Sequence, residues 1–186
     1  MTAVATRARG QATRERLLAI GDEMFAGAGY ERVSTAEIAR RAGVADGLLF
    51  HYFRSKRAFY LEIVRRRLAR LNARLEANRE PDLDRWLRRE IDIFLDSVTE
   101  RPLDAGSGFG TDAELRALIE GEQDWTARRL LRRLGVERPT AEQHIAARGW
   151  VGFAMECAYT WQREHSRLSR AKVRARIAAA LAAVPR

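Results

Sequence analysis

Ser34 to Lys56 reads STAEIARRAGVADGLLFHYFRSK, and its punctuation decides how the chain must fold. Ser34-Thr35-Ala36-Glu37 matches a capping box, in which the serine hydroxyl accepts from the backbone three residues on and the glutamate reaches back, so a helix should begin at Thr35. Gly43 then offers the left-handed conformation of a tight turn, about two helical turns later. Asp46 is placed to cap another short helix running to about Phe53, and Ser55 to cap one starting at Lys56. Ile38, Ala42, Val44, Leu49 and Tyr52 are apolar or partly apolar where two such helices must pack, and Ala39 is small where they cross. This is the pattern of a helix-turn-helix, whose second helix is shaped to enter a major groove.

Upstream, Leu17, Leu18, Ile20, Met24, Phe25 and Ala28 recur at helical spacing, which predicts a helix over Gln11 to Ala28 ended by Gly27 and Gly29. Downstream, Phe59, Ile63, Val64, Leu68, Leu71 and Leu75 line one side of a helix from Lys56 to Asn78. Pro81 breaks the chain, and Trp86, Leu87, Ile91, Phe94, Leu95 and Val98 mark a fifth helix over Asp82 to Thr99. Three further helical stretches, Thr111 to Leu134, Thr140 to about Glu164 and Ser169 to Val184, complete an all-α reading, with Ser169 as a cap. The loop DAGSGFG, Asp104 to Gly110, carries a GxGxG pattern, but no strand precedes it and no P-loop lysine follows, so it does not read as a nucleotide site.

Charge is unevenly placed along the 186 residues: the net charge is +3 over residues 1–56, +5 over 57–79 and +1 over 80–186. A basic first part joined to a nearly neutral remainder points to a polyanion met by the first part alone. No stretch approaches the roughly 20 apolar residues of a membrane helix, and MTAVATRARG lacks a signal-peptide core, so the expected location is the cytoplasm, away from any membrane. The single cysteine, Cys157, has no partner for an internal disulfide and no metal-ligand motif. His51, His144 and His165 are scattered, and neither HExxH nor GxSxG occurs, so no enzyme, metal or cofactor is expected.

The run TRERLLAIGDEMFAGAGYERVSTAEIARRAGVADGLLFHYFRSKRAFYLEIV resembles the N-terminal domain of TetR-type (TetR/AcrR) transcriptional regulators, continuously from about Thr13 to Val64. MFAGAGYERVSTAEIARRAGV and HYFRSK are its most specific parts. The resemblance implies an N-terminal helix-turn-helix domain, a linking helix and a C-terminal helical domain for ligand binding and dimerisation. It places residues 1–10 as a flexible basic arm, 11–56 as the DNA-binding domain with a linking helix to about residue 78, and 80–186 as the second domain. By the same resemblance Ser34 and Thr35 meet phosphate at a helix N-terminus, Lys56 anchors another phosphate, and His51 and Tyr52 end the recognition helix against the backbone or base edges. Ala45, Asp46, Gly47, Leu48 and Phe50 then face the groove. Many relatives carry lysine where Asp46 stands and threonine where Leu48 stands, so operator preference cannot be copied. Leu48 and Phe50 are suited to thymine methyl groups, and Asp46 either caps its helix, the preferred reading, or accepts from a cytosine amino group. Arg65, Arg66, Arg67, Arg70 and Arg74 read mainly as a solvated face, and Arg7 and Arg9 as part of the arm.

A DNA-reading unit needs little more than about 60 residues, so the remainder requires a purpose. Ala147, Val151, Ala154 and Ala158 form a small-residue stripe and Val173, Ile177, Leu181 and Val184 a second one. Paired across a two-fold axis they would build the four-helix bundle of a homodimer on a near-palindromic operator. The alternative for each stripe is ordinary intrachain core. Trp86, Phe94, Phe109, Trp125, Phe153, Cys157 and Trp161 are the candidate lining of a pocket for a small apolar or aromatic effector. The resulting expectation is a ligand-responsive, sequence-specific repressor released by its effector. The alternative is an architectural DNA-binding protein without one.

Overall fold

The computed structural model describes residues 3–100, 112–163 and 167–185, with side chains from Arg7 onward. The helices are α1 (Ala3–Ala28), α2 (Thr35–Arg41), α3 (Asp46–Phe53), α4 (Lys56–Glu76), α5 (Leu83–Glu100), α6 (Ala113–Arg133), α7 (Ala141–Arg163) and α8 (Arg170–Ala179), closed by a 3-10 turn (Ala180–Ala183). No strand occurs among the described residues. Two compact units divide the chain, the first reaching Arg67 and including Asp112, the second beginning at Leu68.

The expected helices stand within about two residues of their sequence signals, save for the start of α1. Residues 3–10, expected as an arm, are its first turns. The run AVATRARGQATRER is rich in Ala and Arg and lacks proline, and its one glycine costs only about 1 kcal/mol in a helix.

In the first unit Leu17, Leu18 and Phe25 of α1, Ile38 of α2, Leu49 of α3 and Phe59 and Ile63 of α4 form a buried core. Each such side chain contributes about 1.5–3 kcal/mol by leaving water. Its aromatic members meet tilted or edge-on, Phe25 with Tyr60 at 4.9 Å and Phe53 with Phe59 at 4.7 Å. α4 packs tightly on α1 at Gly21, where an added Cβ would stand 2.4 Å from the Phe59 ring. Ion pairs lace the same two helices: Arg67 donates to Asp22 at 2.5 Å and Arg66 to Glu15 at 2.5 Å, and Arg14 donates to Glu62 at 2.9 Å. These contacts correct the solvated-face reading for Arg67, which is buried, and for Arg66, half-covered by its partners, whereas Arg65 and Arg70 are exposed as expected.

In the second unit Leu87, Ile91, Leu95 and Val98 of α5 pack with Ala127, Leu130 and Leu131 of α6 and with inward faces of α7 and α8. Both stripes assigned to a dimer interface belong to this core. Ala147, Ala158 and Ile177 are 0% exposed in the single chain, Val151, Ala154 and Val173 are buried, and Leu181 packs against them. Small residues on α7 bring its neighbours of the same chain close, and of the seven residues only Leu181 stays half-exposed.

Candidate nucleic-acid interface

The Ser34 hydroxyl accepts from the Glu37 amide at 3.3 Å, which starts α2 and leaves Ser34 exposed and Thr35 half-exposed at its N-terminus. Only half of the expected capping box forms. The Glu37 carboxylate turns instead to Arg40 at 2.7 Å and Arg41 at 2.8 Å. Those hydrogen bonds, first to Arg40 and then to Arg41, hold the carboxyl down at about 2. The helix ends on Gly43 at φ +64, whose amide donates to the Arg40 carbonyl while that of Val44 donates to Ala39, a paired closure that a glycine makes without strain.

α3 then begins at Asp46, but Ala45 occupies the cap position and no side chain caps the helix. The cap reading of Asp46 is therefore corrected: its carboxylate sits in the first turn, where a negative charge still complements the helix dipole. Leu49 and Phe53, four residues apart, point into the core. The opposite side carries Asp46, Gly47, Phe50 and His51, all exposed, with Ala45 just before it and Leu48 half-exposed at its edge. Phe50 is 44% exposed, the largest apolar side chain on that side of the helix.

Tyr52 turns the other way. It is half-buried, its ring edge-on to His51 at 5.5 Å, and its hydroxyl lies 3.5 Å from where a Cβ on Gly10 of α1 would stand. Lys56 is half-buried too, its ammonium donating to the Glu31 carbonyl at 3.2 Å and lying 4.6 Å above the Tyr30 ring. The Ser55 hydroxyl accepts from the Ala58 amide at 3.0 Å, the cap its position promised. Between α3 and α4 stands Arg54 at φ +64, exposed in a conformation that side chains usually avoid. Sequence pattern does not reveal such a backbone angle.

The candidate ligand residues of the second unit stand in several surroundings, with Phe94, Cys157 and Trp161 packed against the cluster that holds Trp86. Trp86 is buried, with the guanidinium of Arg129 at 5.2 Å and that of Arg133 at 5.6 Å from its ring centre. Trp125 is half-buried under the same Arg129 at 5.7 Å. Phe153 is exposed on the outer side of α7, Trp161 donates its indole N–H to the Leu168 carbonyl at 2.9 Å, and Phe109 lies outside the described residues. Phe94 and Cys157 are half-buried at the edge of the core, Phe94 edge-on to Tyr159 at 6.5 Å, and burial raises the Cys157 thiol pKa.

Sequence reasoning passed over a polar pair in this unit. Asn72 of α4 donates to Glu122 of α6 at 2.9 Å, and burial pushes the Glu122 pKa up. Its signal was present, because Leu115, Ile119, Glu122 and Thr126 follow one helical stripe that places a carboxylate among apolar neighbours.

The first unit thus carries a helix-turn-helix with a capped, exposed helix start and an outward aromatic on its second helix. Residues 17–63 match the family of bacterial regulatory proteins called the tetR family. It is 38% identical over 63 residues to the HTH-type transcriptional repressor NemR of Escherichia coli K12, spanning 34% of this chain and 32% of that protein. It is 32% identical over 87 residues to the HTH-type transcriptional activator FasR of Mycolicibacterium smegmatis, spanning 46% of this chain and 40% of that one. The chain thus matches about a third of the length of NemR. Among solved structures, a tetR-family transcriptional regulator from Streptomyces coelicolor shares the fold at a TM-score of 0.84 and 24% identity, over 93% of this chain and 80% of that one. The regulator FadR of Bacillus subtilis, in complex with stearoyl-CoA, shares it at 0.71 and 16%, over 91% and 97%.

Proposed function

We propose that the chain is a sequence-specific DNA-binding repressor that acts as a homodimer in the cytoplasm and leaves its operator when a small, largely apolar molecule binds its second unit. The observation that carries this reading is the outward face of α3, where Asp46, Gly47, Phe50 and His51 stand clear of the core while Leu49 and Phe53 anchor the helix. An α-helix fits the major groove of about 12 Å width, and an aromatic ring there suits the methyl of thymine. Ser34 and Thr35 at the start of α2, Lys56 at the start of α4 and the exposed Arg54 supply phosphate contacts that set register.

Dimerisation falls to the outer face of α7 in place of the buried stripes. Ile145 is 70% exposed and Phe153 44% exposed, and between them Gly149 and Gly152 have open space where a Cβ would stand. Such a face lets a second copy approach closely across a two-fold axis, and two recognition helices can then meet successive major grooves about 34–36 Å apart.

The test is binding to DNA flanking the chain's own gene, beside a scrambled fragment of equal length at two salt concentrations. A repressor prefers its operator by about 10³ or more. Phe50→Ala should weaken operator binding by about 1–3 kcal/mol with unchanged stability, and Lys56→Ala should lower the salt slope by about one for every sequence alike. Equal affinity for both fragments in the wild-type chain would instead favour an architectural role.

A further inference from the structure

The second unit carries two acceptor oxygens that have no donor. Asn72 Oδ1 and Glu122 Oε1 are both buried, and neither has a hydrogen-bond partner among the described residues. They belong to side chains already joined by the Asn72 Nδ2 to Glu122 Oε2 hydrogen bond of 2.9 Å, so both unmet acceptors belong to one pair. Native interiors rarely keep one such atom, and two on one pair call for a donor from outside the chain. The neighbouring Gln123 repeats the theme: its amide donates at 3.1 Å to the thioether of Met155 on α7, a weak acceptor. One turn beyond Met155, Tyr159 meets Phe94 of α5 edge-on. Gln123 thus links α6 to α7, on which Met155 and Tyr159 stand one turn apart.

We infer that Asn72 and Glu122 anchor the head of an effector that carries hydrogen-bond donors, a primary ammonium or a hydroxyl, on an apolar body lying toward Met155, Tyr159 and Phe94. This rests on the effector-released reading above and gives that effector a chemistry. An ammonium head carries enough protons for both oxygens at once, and a hydroxyl head supplies one of them. A carboxylate head would bring a third acceptor to two that already lack donors. Burial raises the Glu122 pKa and outweighs the hydrogen bonds from Asn72 and Thr126, which favour the charged form. The pair is costly when alone, so its removal should not weaken the fold.

The experiment uses four ten-carbon probes with different heads: n-decylamine, 1-decanol, decanoate and decyltrimethylammonium, the last a cation without N–H. Each is titrated, below its aggregation concentration, against the full chain, the double variant Asn72→Leu/Glu122→Leu and the single variant Glu122→Gln. Binding is read by calorimetry, and the melting temperature and operator affinity are measured in the same samples. Wild type should bind the amine and the alcohol about tenfold or more tighter than the other two. The double variant should bind all four within about threefold and melt no lower than wild type. Glu122→Gln should lose affinity for the amine more than for the alcohol. Equal binding of the four heads by wild type would overturn the inference, as would a preference that survives in the double variant or a clear drop in that variant's melting temperature, which would mark the pair as structural and served by a proton or a water. Operator affinity separates the two readings: release by every probe regardless of head sinks the anchor and leaves the effector-released repressor standing. Head-selective binding without release does the reverse.

Discussion

Each unit holds an arginine in its interior, and the two are held differently. In the first, Arg67 pairs with the buried carboxylate of Asp22 and donates to the Asp22 carbonyl, closing α4 on α1. In the second, Arg129 is spread over four partners: the Glu90 carboxylate, the Leu75 carbonyl and the rings of Trp86 and Trp125. Asn78 extends that network by donating to Glu90 at 2.6 Å and to the Trp86 carbonyl at 3.1 Å. The first unit sets this buried pair beside a half-covered network of Arg14, Glu15, Glu62 and Arg66. The second shares its polar groups among several elements and leaves one oxygen each of Asn72 and Glu122 without a donor among the described residues. A polar group still awaiting its partner suits a domain that takes up a ligand.

The sharpest break of this contrast is Asp22→Ala, which strands a buried guanidinium and should cost about 3–5 kcal/mol, whereas Asp22→Leu/Arg67→Met should be near neutral. All four tryptophans, at 86, 125, 150 and 161, lie in the second unit. The circular-dichroism transition should therefore shift in Asp22→Ala while the tryptophan emission midpoint stays, and coincident shifts would mean that the two units do not behave separately. Gly21→Ala comes next, at about 1–3 kcal/mol, because its methyl would meet the Phe59 ring and α1 would have to move away. Urea midpoints measure it, and a neutral result would show the α1–α4 contact to be softer than the ion pairs beside it imply.

In the second unit, Ile145→Glu should weaken the dimer by about 1–2 kcal/mol without changing the fold, and Ala158→Leu should instead destabilise the chain by about 1–3 kcal/mol. Sedimentation and thermal melts distinguish them, and the opposite pairing of effects would return the interface to the inner stripe. The smallest effect is a pH slope. Glu122 binds its proton more tightly folded than unfolded, so the stability this provides is complete below the ordinary value of 4.5 and is lost as pH rises through the raised folded value. Melting temperatures of wild type relative to Glu122→Gln should fall with pH over that window, and a flat difference would mean that burial does not govern the carboxylate.

What the chain's order of residues determined is local. Ser34, Gly43 and Ser55 place helix ends through hydrogen bonds that reach three or four residues, so α2, the turn, α3 and the start of α4 stand where their caps and glycine put them. The resemblance from Thr13 to Val64 covers the same stretch as the family match over residues 17–63. Which face of a helix is inward is not local when both faces are apolar. On α7 one side bears Ala147, Val151, Ala154 and Ala158 and the other Ile145, Gly149, Gly152 and Phe153, and only packing against the other helices of its unit decided that the first is core. The same holds for Asp46, displaced from its cap by one residue of backbone, and for Arg66 and Arg67, whose partners Glu15 and Asp22 lie some fifty residues earlier in the chain. Hydrogen bonds that close within a turn are written in the sequence, whereas burial is a property of neighbours that only the folded chain assembles.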